Sequence, residues 1–422
     1  MDCLLFFGTA SCKIEKKDCE GTVMRIYCTE ERHSVGGPGL FLLGRAEEKA
    51  EQLLKTHRGK VRLIYLDPPF RTGESFSMKI GKGRSAKTIR LYEDTLSDDE
   101  YTAWMRRILS ACHELLDAKG SLYLHLDYRM SAKMRLLLDE IFGASNFMNE
   151  IIWTYKSGGR SKRYFPRKHD TILFYRKTRN VWFDIQAVGV PRGPERRNHM
   201  KRFVEADGRV GFSIRSNGKI YTYYEDSLIY PSDVWSDIEH LQQRDSERAG
   251  YATQKPEALL RRIIGASTKE GDLVMDLFSG SGTTAAVAAK MNRRFLVTDC
   301  SPIAAYILRK RLLSAAGTLN LFDTTAADLT LCYPPDQTDC TVDYAIERKG
   351  NKRILHLKSV AFAGSDYPLT YAAIGKVREQ VFCPILTNCA PRLPQKATLP
   401  DDRGLVLEVT DAAGHFAFFT LE

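Results

Sequence analysis

Apolar and polar residues alternate in blocks along most of this chain, and the blocks come in two lengths. Short apolar runs bounded by glycine, proline or charge recur at Leu40-Phe41-Leu42-Leu43, Val61 to Leu66, Ser121 to Asp127, His169 to Tyr175, Leu273 to Leu277 and Arg294 to Thr298. Runs of this length, rich in β-branched and aromatic residues, predict buried strands. Longer segments between them predict helices over about 46–56, 97–116, 129–142, 283–291 and 303–313, and Leu259, Leu260, Ile263 and Ile264 mark the apolar face of another. Ser97-x-x-Glu100 is a capping box at a helix start. Strand alternating with helix predicts an α/β fold.

Four stretches break the rhythm. Residues 1–38 are poorly patterned and end in Gly36-Gly37-Pro38-Gly39. Residues 71–95 are polar, contain Gly73, Gly81 and Gly83, and predict a long mobile loop. Residues 176–240 are loop-rich and basic, an insertion of the kind that carries recognition on a rigid scaffold. From about 320 the tail has strand-like segments near 354–361, 404–409 and 416–421. The expected division is an N-terminal extension (1–38), an α/β unit in two halves (39–175 and 241–318) split by the insertion (176–240), and a C-terminal domain (319–422) that is α/β or β-rich. No internal repeat is found.

Charge sharpens this division. The chain of 422 residues carries a net charge of +10. Residues 151–220 hold seventeen Lys and Arg against five Asp and Glu, a net +12, so the rest of the chain carries −2. The basic segment is interleaved with Trp153, Tyr155, Tyr164, Phe165, Tyr175, Trp182, Phe183, Phe203 and Phe212. Basic residues among aromatics fit phosphate neutralisation with base contact; the plainer account is a solvated charged face. Candidates for nucleic-acid contact are Lys156, Arg160, Lys162, Arg163, Arg167, Lys168, Arg196, Arg197, Lys201 and Arg202. The ten cysteines contain no C-x2-C pair, and Cys3, Cys12, Cys19 and Cys28 are too widely spaced for a standard zinc site. No metal is therefore expected. Free thiols, no signal peptide and no run of membrane-spanning length suggest a cytoplasmic protein without a membrane partner.

Two short segments carry candidate chemistry. Asp67-Pro68-Pro69-Phe70 follows the run ending at Leu66. Two prolines end a strand abruptly, and in open α/β sheets ligands bind at strand carboxyl ends. A planar base stacked on Phe70 would donate its amino hydrogens to Asp67 and a proline carbonyl; alternatively the motif is only a strand stop with a solvated Asp. The second segment is Asp276-Leu277-Phe278-Ser279-Gly280-Ser281-Gly282-Thr283-Thr284, a strand, a glycine turn and a helix start. Its glycines admit close backbone approach and the helix start offers free amides. It lacks the Lys of a P-loop, which disfavours a nucleotide hydrolase, and it lacks the third glycine of a dinucleotide fingerprint, where Ala285 stands. The next strand ends at Asp299, placed to accept from both hydroxyls of a ribose or, more plainly, to cap the helix after Ser301-Pro302.

Together D-P-P-F and D-x-F-x-G-x-G-T-T resemble the S-adenosylmethionine-dependent amino methyltransferases of DNA. Their order, with a basic insertion between, is similar to the β group. Tyr251-Ala252-Thr253-Gln254-Lys255-Pro256 resembles the family's T-Q-K-P element; Asn149 to Trp153 and Lys168 to Tyr175 are also similar to family segments, and the likeness covers about 40–313. The resemblance implies a Rossmann-like methyltransferase fold, with a seven-stranded mixed sheet assembled from a circularly permuted chain and a target-recognition domain in the insertion. It implies that Asp67, Pro68, Pro69 and Phe70 are catalytic, that Asp276, Phe278, Gly280, Gly282 and Thr283 surround S-adenosylmethionine, and that Asp299 holds its ribose. Thr253, Gln254 and Lys255 would close over its methionine end. The substrate implied is adenine N6 in double-stranded DNA, flipped out of the helix, with cytosine N4 as the alternative; relatives that methylate cytosine N4 more often carry Ser at the Asp67 position. A homodimer and a cognate restriction endonuclease are compatible partners. One departure stands out: family members often have Gly-Asp after the first short strand, and here it is Gly44-Arg45. That change supports the competing reading, an inactive cofactor-binding protein that only binds DNA.

Overall fold

The apolar runs become strands, and their order in space brings distant parts of the chain side by side. The computed structural model describes residues 39–315 apart from 81–86, 157–160, 193–198, 243 and 252, and residues 329–421 apart from 333–338, 351, 379–380, 390–392, 394 and 401–403. It also describes the strands Lys13–Lys17 and Val23–Tyr27. Nine strands form one sheet: β1 (Gly39–Leu43), β2 (Val61–Leu66), β3 (Leu116–Leu126), β4 (Phe147–Thr154), β5 (His169–Arg176), β6 (Val234–Trp235), β7 (Leu273–Asp276), β8 (Arg294–Asp299) and β9 (Leu329–Cys332). Their order is β6-β4-β5-β3-β2-β7-β8-β1-β9. Within it β5 alone runs antiparallel to the rest. The expected seven strands are a sheet of nine, because β6 and β9, of two and four residues, add themselves at the two edges.

Alternation of side chains explains why both faces are covered. Leu63, Tyr65, Tyr123, Val274, Phe295 and Val297 point to one face, where they pack on helices α4 (Glu257–Ser267), α5 (Thr283–Lys290) and α6 (Pro302–Ala315). Ile64, Leu66, Leu122, Leu124, Met275 and Leu296 point to the other, against α1 (Ala46–His57), α2 (Asp98–Leu115) and α3 (Ser131–Leu138). A period of two on strands buried on both sides gives two cores from one sheet. The Ser97–Glu100 capping box forms, with the Glu100 amide donating to Ser97 Oγ at 3.3 Å and the Ser97 amide to Glu100 Oε2 at 2.9 Å.

Residues 71–95 are not the expected long loop. Ser75–Ile80 and Lys87–Glu93 pair as an antiparallel hairpin. Buried Asp94 ties its base, accepting from the Thr72 amide at 2.7 Å, while the Gly73 amide donates to the Asp94 carbonyl. The alternation Phe76, Met78, Ile80 is the strand signal that the surrounding glycines obscure. The insertion holds a three-stranded sheet of Lys201–Val204, Val210–Ser216 and Lys219–Tyr224.

The C-terminal region is β-rich. A six-stranded sheet joins Phe416–Leu421, Leu405–Asp411, Leu369–Arg378 and Val381–Cys389 to the two N-terminal strands, with Val23 opposite Phe419. The strands Lys13–Lys17 and Val23–Tyr27 therefore share a sheet with the end of the chain. The region docks on α6, where Arg309 pairs with nearly buried Glu408 at 3.0 Å and lies over the Tyr371 ring. Ile303, Ile307, Tyr251 and Ala412 form a small apolar cluster beside them, with Phe76 and Met78 packed on it. Among the described residues no helix is long and apolar enough to cross a membrane, and no group of three or more His, Cys, Asp or Glu could hold a metal. Cys112, Cys300 and Cys340 are free thiols. Cys3, Cys12, Cys19 and Cys28 lie outside the described residues.

Candidate active site

Strands β2 and β7 are neighbours, with Leu63 opposite Val274 and Ile64 opposite Met275. From β2 the chain proceeds to β3 on one side, and from β7 to β8 on the other. Connections that leave in opposite directions open a crevice at the carboxyl ends, and both singled-out segments begin there. A cavity of about 850 Å3 lies in it, lined among others by Arg45, Glu47, Asp67, Pro69, Trp104, Tyr251, Thr253, Lys255, Asp276, Phe278, Gly280, Thr283 and Asp299.

On the glycine-turn side nearly every polar group has a partner. Asp276 is buried; Oδ1 accepts from the Phe278 amide at 2.8 Å and Oδ2 from Thr284 Oγ1 at 2.6 Å. Burial pushes its carboxyl up to about 7. Asp299 accepts from the Gly280 amide at 2.7 Å and the Ser301 amide at 2.8 Å, and burial pushes it up to about 6. Asp299 thus braces the turn before α6 and also lines the cavity. Gly280 and Gly282 have φ of +49° and +72°, which favours glycine. A Cβ at Gly282 would lie 2.8 Å from Leu308, and one at Gly280 would lie 3.2 Å from Tyr251. Gly282 is buried behind the wall rather than lining it. Thr283 Oγ1 donates to the Lys255 carbonyl at 3.2 Å, joining the turn to the 253–255 segment. Gln254, expected over the ligand, turns away: it donates to the Glu247 carbonyl at 2.9 Å and accepts from the Ala249 amide at 2.7 Å. Its amide holds the preceding loop, while Thr253 and Lys255 on either side face the cavity.

The D-P-P-F side is different. Asp67 Oδ2 pairs with Lys255 Nζ at 2.5 Å, but buried Oδ1 has no partner. A buried acceptor left unmet costs free energy, so this oxygen is primed for a donor. The Lys255 ammonium also lies 4.9 Å from the Phe70 ring centroid. Phe70 stacks on His125, with centroids 5.8 Å apart and planes at 28°. His125 is buried in a hydrogen-bond chain: Nδ1 contacts Tyr65 OH at 2.8 Å, Nε2 contacts Asp170 Oδ2 at 3.1 Å, and Tyr155 OH donates to Asp170 Oδ1 at 3.1 Å. Burial pushes Asp170 up, yet the His125 hydrogen bond, the Lys255 charge and the Tyr155 hydrogen bond together hold it below the usual range. Burial drives Tyr65 well above its ordinary value. Tyr65 therefore keeps its hydroxyl proton, and the Asp170 carboxylate can only accept from His125 Nε2.

Residues 61–310 match the N6/N4 DNA methylase family. The protein belongs to that family. The type II methyltransferase M.EcaI of Enterobacter cloacae is 30% identical over 298 residues, covering 60% of this chain and 64% of the relative. The DNA adenine methyltransferase YhdJ of Escherichia coli K12 is 29% identical over 251 residues, covering 58% and 74%. The chain thus spans a little under two thirds of M.EcaI. Among solved structures, the cytosine-N4-specific PvuII DNA methyltransferase aligns over 66% of this chain and 87% of its own, with a TM-score of 0.43 and 17% identity.

S-adenosylmethionine is the cofactor of this DNA methylase family, and the cavity fits it. The glycine turn gives close backbone approach, Asp299 places a carboxylate on the wall, and Phe278 and Trp104 offer aromatic surface with centroids 5.5 Å apart. Several wall residues have no role assigned in the sequence analysis. Glu47, Trp104 and Tyr251 come from α1, α2 and the loop before α4, and only the fold gathers them. Glu47 bears on the Arg45 departure: its Oε1 accepts from Arg45 Nε at 2.7 Å and its Oε2 from Trp104 Nε1 at 2.9 Å. Burial pushes Glu47 up, and these donors more than offset it, holding the carboxyl below its usual value. A carboxylate lines the cavity two residues after the one the motif lacks. Of the basic candidates, Lys156, Lys162, Arg163, Arg167 and Lys168 lie in the β4–β5 loop and Lys201 and Arg202 on the inserted sheet. Lys156 pairs with Glu239 at 3.3 Å. Arg160, Arg196 and Arg197 lie outside the described residues.

Proposed function

We propose that this DNA methylase is of the β group and transfers a methyl group from S-adenosylmethionine to N6 of a flipped adenine in double-stranded DNA. The observation that carries the reading is the partnerless, buried Asp67 Oδ1 at the cavity beside Lys255. An exocyclic amine is a weak nucleophile because its lone pair is delocalised into the ring. Asp67 Oδ1 and the Pro68 carbonyl would accept its two N–H bonds, turning the lone pair toward the cavity. Pro69 fixes the turn and Phe70 stacks on the base, braced from behind by His125. Lys255 balances the Asp67 charge and keeps Oδ2 occupied, so the free acceptor is Oδ1. When bound, S-adenosylmethionine supplies an electrophilic methyl group, so the protein's part is alignment and charge stabilisation. Asp299 and Glu47 would hold the ligand, and the basic residues of the β4–β5 loop and the inserted sheet the DNA backbone. The adenine assignment draws on the acidic residue at position 67 and on the likeness to the DNA adenine methyltransferase YhdJ. The type II relatives speak for a restriction–modification role.

The test is transfer of labelled methyl from S-adenosylmethionine to DNA by wild type and by Asp67→Ala, with the product digested to nucleosides. The expected result is N6-methyladenine from wild type and almost none from the variant. N4-methylcytosine would overturn the base assignment alone. Equal transfer by both proteins would overturn the role of Asp67. No transfer to any DNA by wild type would leave a binding protein.

A further inference from the structure

The β4–β5 loop opens at the same sheet edge as Asp67, because β4 runs parallel to β2 and β5 returns antiparallel. Its root is fixed: the Tyr155 amide donates to the Lys168 carbonyl at 3.0 Å, and Tyr155 OH to Asp170. Farther out, Ser161 Oγ accepts from the amides of Arg163 and Tyr164 at 3.2 and 3.3 Å. The Arg167 guanidinium lies 3.8 Å from the Tyr128 ring and 4.8 Å from the Tyr164 ring, and donates to Tyr128 OH at 2.6 Å. Between these braced residues stands Phe165, and Pro166 after it confines its backbone to extended conformations. Its side chain is 96% exposed, against 58% for Tyr164 and 42% for Tyr128. A ring held wholly in water by a braced loop gains nothing from folding. Around it lie Lys162, Arg163 and Arg167, all exposed. The surface therefore presents one apolar ring within a cationic collar. Duplex DNA matches both parts: phosphates for the collar, and the gap between stacked bases that a flipped nucleotide vacates for the ring.

We propose that Phe165 is the wedge that enters the DNA stack beside the flipped base. The inference rests on the DNA-methylation reading and adds to it the residue that stabilises the extruded state. Asp170 sits at the root of the loop and also bonds His125, on which Phe70 stacks. The ring that fills the gap and the ring that receives the base thus hang on one hydrogen-bonded frame.

The test uses a duplex carrying the methylated sequence read from host DNA, with a fluorescent analogue at the target base. Wild type, Phe165→Ala and Phe165→Trp are compared for fluorescence rise, labelled-methyl transfer and affinity. Phe165→Ala should lower both the fluorescence rise and kcat/KM by about tenfold, the worth of one aromatic–base stack, and Phe165→Trp should restore both. Affinity for a duplex of random sequence should change less than about twofold, since the collar remains. Wild-type fluorescence and kcat/KM in Phe165→Ala would overturn the wedge, as would an equal loss on single-stranded DNA, which has no stack to fill. A wild-type dimer that dissociates in Phe165→Ala would assign the ring to a second copy of the chain and overturn it too. Failure of the methylation reading looks different: no labelled methyl enters any DNA with wild type.

Discussion

Asp67 and Asp276 stand at the carboxyl ends of two paired strands, yet they do opposite things. Asp276 spends both oxygens on its own loop, on the Phe278 amide and Thr284. Asp67 spends one on Lys255 and leaves the other buried and unmet. A carboxylate at a strand end is therefore not a site by position. What separates scaffold from chemistry is the unfilled hydrogen-bond capacity that the fold tolerates, at a cost in stability, where a ligand will meet it.

The sharpest way to break this contrast is to delete each carboxylate in turn. Asp67→Ala should lower methyl transfer by about 10²–10³-fold, the usual worth of one placed group at a reacting atom, with cofactor affinity nearly unchanged; transfer kinetics alongside titration calorimetry check this. Asp276→Ala should do the reverse in kind, removing about 1–3 kcal/mol of stability by stranding the Thr284 hydroxyl and the Phe278 amide. A lowered melting temperature measures it. If Asp276→Ala melted as wild type, the scaffold half of the comparison would fail.

Protonation sharpens it further. Asp299 is raised to about 6 and Asp276 to about 7 by burial. Groups raised above their unfolded values support folding fully below about pH 4 and lose that contribution as pH rises through 6 and 7. In the proposed site the ribose calls for the ionised form of Asp299, about a tenth of which is present at pH 5. Affinity for S-adenosylmethionine should thus rise about tenfold from pH 5 to pH 7 while apo stability declines; titration calorimetry and thermal melts across that range read both. The smallest expected effect is at the substituted position. Glu47→Gln should weaken cofactor binding by about two- to tenfold, one hydrogen bond's worth, and Arg45→Ala by less. Unchanged affinity in Glu47→Gln would mean that Glu47 does not stand in for the missing Asp.

The local part of this site is legible in the chain. Asp67 to Phe70 and Asp276 to Thr284 are contiguous segments at the ends of apolar runs, and strand alternation alone sorts Tyr65 from Leu66 onto opposite faces. Residues that join through pairing register are not legible. His125 meets Asp170 because β3 and β5 run antiparallel with His125 opposite Ile172, and nothing in either segment announces the other. Glu47 and Trp104 meet only because α1 and α2 pack on the same face of the sheet. Gln254 shows the converse: its motif suggests a ligand contact, and the loop at 247–249 claims its amide instead. The hairpin at 75–93 was hidden because glycine content outweighs a three-residue alternation when the two are read together.

The place of β1 in the sheet also governs how the protein is made. Its run Leu40-Phe41-Leu42-Leu43 pairs with β8 and β9 on its two sides, so both of its edges wait for residues beyond 293. At ribosomal speed that wait is on the order of tens of seconds. Through all of it the nascent chain carries an apolar strand with two open edges, a template for pairing with other chains. The half of the site built on β2 can form early, but Asp299 and the rest of β8 arrive together only after residue 293. Synthesis thus makes a chain with an unpaired apolar strand first, and completes this wall of the cavity only when β8 slots in beside β1.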